Sequence, residues 1–365
     1  MSIACDDNEF TIRAREIISE NIKGLINSGF IEILIPAIIA VRNKGFWAEG
    51  WKQLCMTIHF DSKKWPTDTQ AKVEKLEQDL RPASLEDRFS TYVTNAPWGF
   101  YPVDSDIEEE TNDRVIFIRA EKVGVEAAKL PSLWPSLMKQ TIAYSGQSAS
   151  KPFGRGLAKG AADVFEMWSQ LTLFFCESEL ETRNADVLCG FLEGAHAREP
   201  DTVQNWLDGA VTDDALGPHI VELSISLPLD RRSTKRLTRA VKEGKAPLQS
   251  YHSLGCGRAT DPTPIDDLIE FLRVLFPNGD IGIYLVTFIL NMYFFGHPEE
   301  SDVTPELLAF GRELLQSGSI YQNKNLNRKD YLERIARRCL AGEENEQSAR
   351  NVCEKLLKVP STYLQ

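Results

Sequence analysis

The sequence lacks most of the features that announce a chemistry. No two of its seven cysteines (Cys5, Cys55, Cys176, Cys189, Cys256, Cys339 and Cys353) form a C-x-x-C pair. That excludes the common zinc spacings and gives no sign of a disulfide framework. Most of them have apolar neighbours, as in Leu188-Cys189 and Phe175-Cys176, where a thiol serves as a small core residue. A reducing, cytoplasmic setting is expected. The five histidines (His59, His196, His219, His252 and His297) are dispersed, and H-E-x-x-H does not occur, so neither a metal nor a cofactor is expected. His252 and Cys256 stand at i and i+4, but Gly255 and Gly257 argue against a rigid helix there. No G-x-S-x-G elbow is present, and no nucleophile–base set stands out.

Basic charge is also scarce. Lys and Arg number 41 against 53 Asp and Glu, a formal net charge of −12. A surface so charged repels a phosphate backbone over most of its area. Long hydrophobic runs are missing too. Residues 31–41 (IEILIPAIIAV) hold Glu32 and Pro36, and residues 281–295 (IGIYLVTFILNMYFF) fall short of the roughly 18 to 20 apolar residues that a bilayer requires. The acidic opening MSIACDD lacks the basic start of a signal peptide. A soluble chain with a fully buried helix near 281–295 is expected, with no membrane partner.

What is present is helical periodicity. Ile12, Ala14, Ile17, Ile18, Ile22 and Leu25 recur at three- and four-residue steps. Trp47, Trp51, Leu54, Cys55 and Ile58 repeat the pattern, and so do Ala71, Val73, Leu76 and Leu80. Ser84, directly after Arg81-Pro82, is placed to cap a helix carrying Leu85, Phe89 and Val93. The pattern fails over 95–112, where N-A-P-W-G-F-Y-P is turn chemistry and residues 104–113 (DSDIEEETND) form an acidic run. Val115 to Arg119 fits a short strand or a helix, and the helical sequence after it favours the helix. A second break, residues 145–152 (SGQSASKP), precedes a change of character.

From there glycine-flanked helix starts recur. Gly156-Leu-Ala-Lys-Gly160 opens a long apolar helix through Phe165, Trp168, Leu171 and Phe174. Gly190-Phe-Leu-Glu-Gly194 leads to Trp206 and Leu207, and Leu254-Gly-Cys-Gly257 leads to a helix over 265–275. Helices joined by short Pro/Asp/Gly links predict an all-α fold, an array of stacked antiparallel helix pairs of the HEAT/TPR-like α-solenoid kind. The expected organisation is a helical region 1–103, the acidic loop 104–113, connecting helices 114–151 and a repeat region 152–365. The glycines read as points of close helix approach. Gly154-Arg-Gly-Leu-Ala-Lys-Gly160 lacks the Gly-Lys-Ser/Thr ending and preceding strand of a phosphate loop, so Arg155 and Lys159 are expected to decorate an exposed helix start.

One basic stretch stands out in this acidic chain. Asp230-Arg-Arg-Ser-Thr-Lys-Arg-Leu-Thr-Arg239 carries Arg231, Arg232, Lys235, Arg236 and Arg239, and helical spacing puts most of them near one stripe. Such a stripe suits an acidic partner, a nucleic-acid backbone or a nucleotide phosphate; a solvated face pairing with nearby acids is the plainer alternative. Among the seven tryptophans, Trp51, Trp168 and Trp206 follow apolar periods and read as core. Trp65 and Trp98 sit beside prolines in breaks and read as candidate partner anchors.

Residues 153–160 (FGRGLAKG), 190–194 (GFLEG), 205–208 (NWLD) and 254–258 (LGCGR), in that order, resemble the helical C-terminal regions of large bacterial conflict proteins. The resemblance spans about residues 80 to 300. It implies a sensor or scaffold for phage components, following an NTPase or other effector domain. Here Met1 opens almost directly onto helices, which suggests a stand-alone subunit or part of a longer protein. The expected function is a non-enzymatic scaffold or sensor for a protein partner. The alternative is a nucleotide- or nucleic-acid-responsive subunit, or an unfamiliar enzyme, using the stripe at 231–239.

Overall fold

The structure, a computed structural model, describes residues 9–95, 112–142, 149–179, 183–299, 303–323 and 329–358. These residues form an all-α fold, and no strand occurs among them. The chain divides into two compact units, Met1–Arg198 and Glu199–Gln365. The division falls within 152–365, so helices of the glycine-flanked series belong to both units. Trp98 and the acidic run as far as residue 111 lie outside the described residues.

The helices of the first unit are α1 (Glu9–Asn27), α2 (Ile31–Arg42), α3 (Ala48–Asp61), α4 (Thr67–Leu80), α5 (Leu85–Phe89), α6 (Asn112–Ala127), α7 (Trp134–Ile142), α8 (Ser150–Gly160), α9 (Val164–Glu177) and α10 (Asp186–His196). Gly29, at φ +81°, makes the reversal between α1 and α2, a backbone state that costs glycine little. Trp51 of α3 is buried and donates its indole N–H to Glu77 Oε1 of α4 at 2.8 Å. Glu77, itself buried, is held at 2.8 Å by Arg81, which offsets the cost of taking a carboxylate out of water. Ser84 caps α5 as expected, forming a reciprocal capping box with Asp87. Residues 115–119 are helical, inside α6.

The tightest packing joins α6, α8 and α10. A two-residue step turns a helix by about 200°, so Gly154 and Gly156 face opposite neighbours of α8. A Cβ on Gly154 would meet the Val187 carbonyl oxygen of α10 at 2.1 Å, and one on Gly156 would meet the Glu121 carbonyl oxygen of α6 at 2.0 Å. The neighbours answer with glycines of their own. A Cβ on Gly190 would lie 1.8 Å from the Lys151 carbonyl oxygen, and one on Gly124 2.2 Å from that of Phe153. Backbone therefore rests on backbone on both sides of α8, which is the close approach that the glycine pattern predicts. Along the rim, Arg155 pairs with Glu193 at 2.6 Å and Glu121 at 3.4 Å, and Lys151 pairs with Glu193 at 2.7 Å.

Two expectations here need correction. Residues 156–174 are not one long helix: Ala161 is extended, and Asp163 starts α9 by accepting from the Phe165 and Glu166 amides at 2.8 and 3.1 Å. An N-cap carboxylate satisfies amides that a continuous helix would have bonded internally. Nor do Arg155 and Lys159 mark an exposed helix start. The helix begins at Ser150, with Pro152 in its first turn, and Arg155 sits in mid-helix spanning to both neighbours.

The second unit contains α11 (Pro200–Ala210), α12 (Ile220–Ile225), α13 (Arg231–Lys242), α14 (Ile265–Leu275), α15 (Gly279–Gly296), α16 (Pro305–Gln316), α17 (Lys329–Cys339) and α18 (Glu346–Leu356). With 18 residues and a mean hydropathy of 1.3, α15 is long and apolar enough to cross a membrane by length and composition. Its buried residues, among them Ile283, Leu285, Val286, Phe288, Ile289, Leu290 and Phe294, occur around its whole circumference. Phe288 stacks on His252 at 4.2 Å. Residues 248–255 form a 3-10 helix that ends at Cys256, so His252 and Cys256 do not share an α-helical face.

Candidate functional site

The basic stretch folds as α13, and the sequence dictates why. Asp230 accepts from the Ser233 amide at 2.8 Å and caps the helix start. Ser233, Thr234, Leu237, Ala240 and Val241 bury one face, leaving Arg231, Lys235 and Arg239 exposed. The expected stripe exists, but its cations are not equivalent.

Arg236 has turned inward and is only 3% exposed. Its Nε donates to Asp208 Oδ1 at 2.8 Å and its Nη2 to Gln204 Oε1 at 2.5 Å, both on α11. Burial lowers its pKa below the ordinary guanidinium value, and the adjacent Asp208 carboxylate opposes that shift. Arg232 takes the other oxygen of Asp208, donating to Oδ2 at 2.8 Å through Nε, and reaches Asn205 Oδ1 at 2.7 Å. Gln204 and Asp208 stand one turn apart on α11, so a single face of that helix fixes two guanidinium groups. Arg231 bonds the buried Asp267 of α14 at 2.8 Å, and Arg239 bonds Glu243 at 2.7 Å.

Several donors are left over. Nη1 of Arg236 is enclosed and finds no acceptor among the described residues. Lys235 is exposed and likewise has no acid partner among them. Both residues line an open depression of about 650 Å³ together with Asp208, Val211, Asp230, Arg231, Arg232 and Arg239. Its five cations meet four carboxylates, Asp208 and Asp230 in the lining and Asp267 and Glu243 beside it, which leaves a positive surplus at Lys235 in an acidic chain. Such a surface binds an anion by charge and by directed N–H donors. The five cations and their spacing are legible in the sequence. It held no signal for the α11 acceptors Gln204, Asn205 and Asp208, whose role depends on tertiary contact.

Trp65 belongs to the first unit and is not part of this site. It is half-buried, and its indole donates to Asn27 Oδ1 at 2.7 Å, while Asn27 donates to the buried Asp61 at 3.3 Å. Trp65 thus supports an internal polar network that joins α1 to the end of α3. Of the tryptophans read as core, Trp51 and Trp168 are buried, whereas Trp206 is half-buried. Within the network Asp61 is held down to about pKa 2, chiefly by the Lys64 ammonium at 2.6 Å, with burial opposing and Asn27 and Lys23 assisting. A carboxylate whose folded pKa lies below its ordinary 3.8 adds stability that is present above that value and lost as pH falls toward 2. Urea midpoints measured from pH 6 to pH 2 are expected to fall more steeply for the wild type than for Asp61→Asn. Parallel curves would show that Asp61 contributes nothing to the acid limb.

Among the described residues no group of three or more His, Cys, Asp or Glu side chains is arranged to hold a metal ion. The chain matches no protein-family model, no curated protein and no solved structure.

Proposed function

We propose that this chain is a non-enzymatic helical scaffold, with the stacked helix pairs of an α-solenoid, that holds an acidic segment of a protein partner in the α13 depression. One observation carries the reading: a positive concavity whose cations exceed its carboxylates, with Lys235 untied and Arg236 Nη1 lacking an acceptor. Structural ion pairing alone would leave no surplus. The strip Arg232–Lys235–Arg236–Arg239 covers two helical turns, about 10 Å, which suits a few acidic residues. The net charge of −12 disfavours a long polyanion extending beyond that strip. The resemblance to sensor arrays of bacterial conflict proteins supports a cytoplasmic sensor in antiphage defence as the setting.

The test uses fluorescence anisotropy with a labelled peptide of alternating Glu and Gly, its Lys counterpart and a single-stranded oligonucleotide of equal charge. The acidic peptide should bind, weaken with added salt as exposed charges do, and lose at least about tenfold affinity to Lys235→Glu/Arg239→Glu, roughly one charge-assisted contact. Equal binding by that variant, or no binding of the acidic peptide, would overturn the proposal. Preference for the oligonucleotide would favour the nucleic-acid-responsive alternative instead.

A further inference from the structure

Resting on the reading of α13 as a partner site, we infer that the anion seated there is a phosphoryl group carried on the partner segment, as on a phosphoserine or phosphothreonine. Donors outnumber acceptors at this site. Asp208 spends both oxygens on the Nε sides of two arginines: Oδ1 accepts from Arg236 at 2.8 Å and Oδ2 from Arg232 at 2.8 Å. Those bonds, with Gln204 on Arg236 Nη2 and Asn205 on Arg232 Nη2, fix the two planar forks in place. They leave the Nη1 groups of both arginines without a hydrogen bond to the described residues. The Lys235 ammonium, one turn after Arg232 and adjacent to Arg236, supplies a third donor with no acceptor of its own.

Three cationic donors therefore converge on one depression from three consecutive stripe positions. A carboxylate brings two oxygens and a single charge. A phosphate monoester brings three acceptor oxygens and nearly two charges at neutral pH. Both can accept from Arg232, Lys235 and Arg236, but the phosphate monoester gives each donor an oxygen of its own and answers three cations with nearly twice the charge. An unsatisfied donor is costliest at Arg236. Its side chain is almost wholly buried and cannot turn to water, and a buried donor without an acceptor is strongly penalised. Lys235, exposed and without an acid partner, lines the same depression and is free to follow an oxygen that reaches Nη1. Guanidinium groups preset by Asp208 lose little freedom on binding, which favours planar recognition of a phosphoryl group over a bare point-charge contact. Arg239, tied to Glu243 through Nε alone, extends the site along the helix for an acidic residue that follows the phosphorylated one.

The experiment measures anisotropy for three peptides of one sequence, bearing Ser, Glu or phosphoserine at the centre, with inorganic phosphate as a fourth probe. The phosphoserine peptide is expected to bind at least about tenfold more tightly than the Glu peptide, a difference of about one charge-assisted hydrogen bond. That advantage should shrink as pH falls through about 6, where the phosphate takes up its second proton, while Glu-peptide binding stays level. Lys235→Ala, which alters an exposed side chain and leaves the Asp208 clamp intact, should remove the advantage with an unchanged melting temperature. If the Glu and phosphoserine peptides bind equally, the phosphoryl inference fails and the acidic-segment reading stands. If neither binds, both fail. If inorganic phosphate binds and the phosphoserine peptide gains nothing over Ser, the site takes free phosphate and the inference is overturned.

Discussion

Gly190→Val is expected to cost the first unit about 4 kcal/mol, above the usual range for overpacking because the clash is with backbone and not with a side chain. Even the Cβ alone would stand 1.8 Å from the Lys151 carbonyl oxygen, and the next atoms it meets are also backbone, at 2.6 and 2.9 Å. A side-chain end can swing away from such a contact. A backbone carbonyl held within a helix cannot, so α8 and α10 must move apart. Separation would strip burial from Phe153, Leu157, Phe191 and Leu192, each essentially inaccessible to solvent. For a unit of this size the melting temperature should fall by about 10 °C or more. Gly24→Ala in α1 is the matched control, since nothing lies within 4 Å of the added methyl. Better helix propensity should leave it neutral or stabilised by up to about 1 kcal/mol. Calorimetry on the two variants separates close approach from a general intolerance of change in these helices. A Gly190→Val protein that melted with the wild type would refute the backbone-on-backbone account.

The second large effect is expected at Asp208. Its removal by Asp208→Ala would leave Arg236 buried with neither its charge partner nor the acceptor for Nε, a loss of about 2 kcal/mol, below that of a pair buried on both sides because Asp208 is 40% exposed. Asp208→Asn keeps an oxygen in place and should cost less, because it removes charge while preserving one hydrogen bond. The revealing comparison is Asp208→Ala combined with Arg236→Met. Once the cation is gone the vacancy no longer faces an unpaired charge, so the double variant should be more stable than the sum of the single losses predicts. Urea denaturation of all four proteins measures that coupling. Simple additivity would mean that the Arg236–Asp208 pair is incidental to stability.

Fold and site are legible in the sequence to different depths, for physical reasons. Helix positions were legible where an apolar period and a cap coincide. The spacing from Trp47 to Ile58 corresponds to α3, Ser84 caps α5, and the helix expected over 265–275 is α14. The gap between α8 and α9 was not legible, because Ala161 and Ala162 suit a helix as well as a link and Asp163 reveals its role only once its carboxylate faces two free amides. Glycines told more than their number. Their recurrence points to close contact, and in the structure Gly156 meets α6 while Gly154 and Gly190 bring α8 and α10 together, all from inside helices and not at the helix starts that the sequence pattern suggests. The partner of Gly156, Gly124, lies in the segment read as a connector, since periodicity says nothing about which helices become neighbours.

The basic stripe shows the same limit from another side. Spacing placed its cations on one face but treated them alike, as solvated groups. Arg236 is instead buried, because α11 offers Asp208 and Gln204 at the height where its guanidinium arrives. Nothing local to residues 230–239 records that offer. Trp65, read as an anchor for a partner, is engaged by Asn27 from a helix far back in the chain.

The glycine contacts of α8 also limit how this part of the protein can move. Helices that meet through interlocking side chains can shear past one another by trading rotamers. Where carbonyls rest against Cα atoms on both sides, no rotamers exist to trade, and a slide of even one residue would turn a glycine away and bring a side chain into the gap. Helices α6, α8 and α10 should therefore move as a single plate. Any strain that reaches this plate, from a bound partner or from thermal motion, must be taken up at its edges, in the linkers and in the helices packed through ordinary side chains.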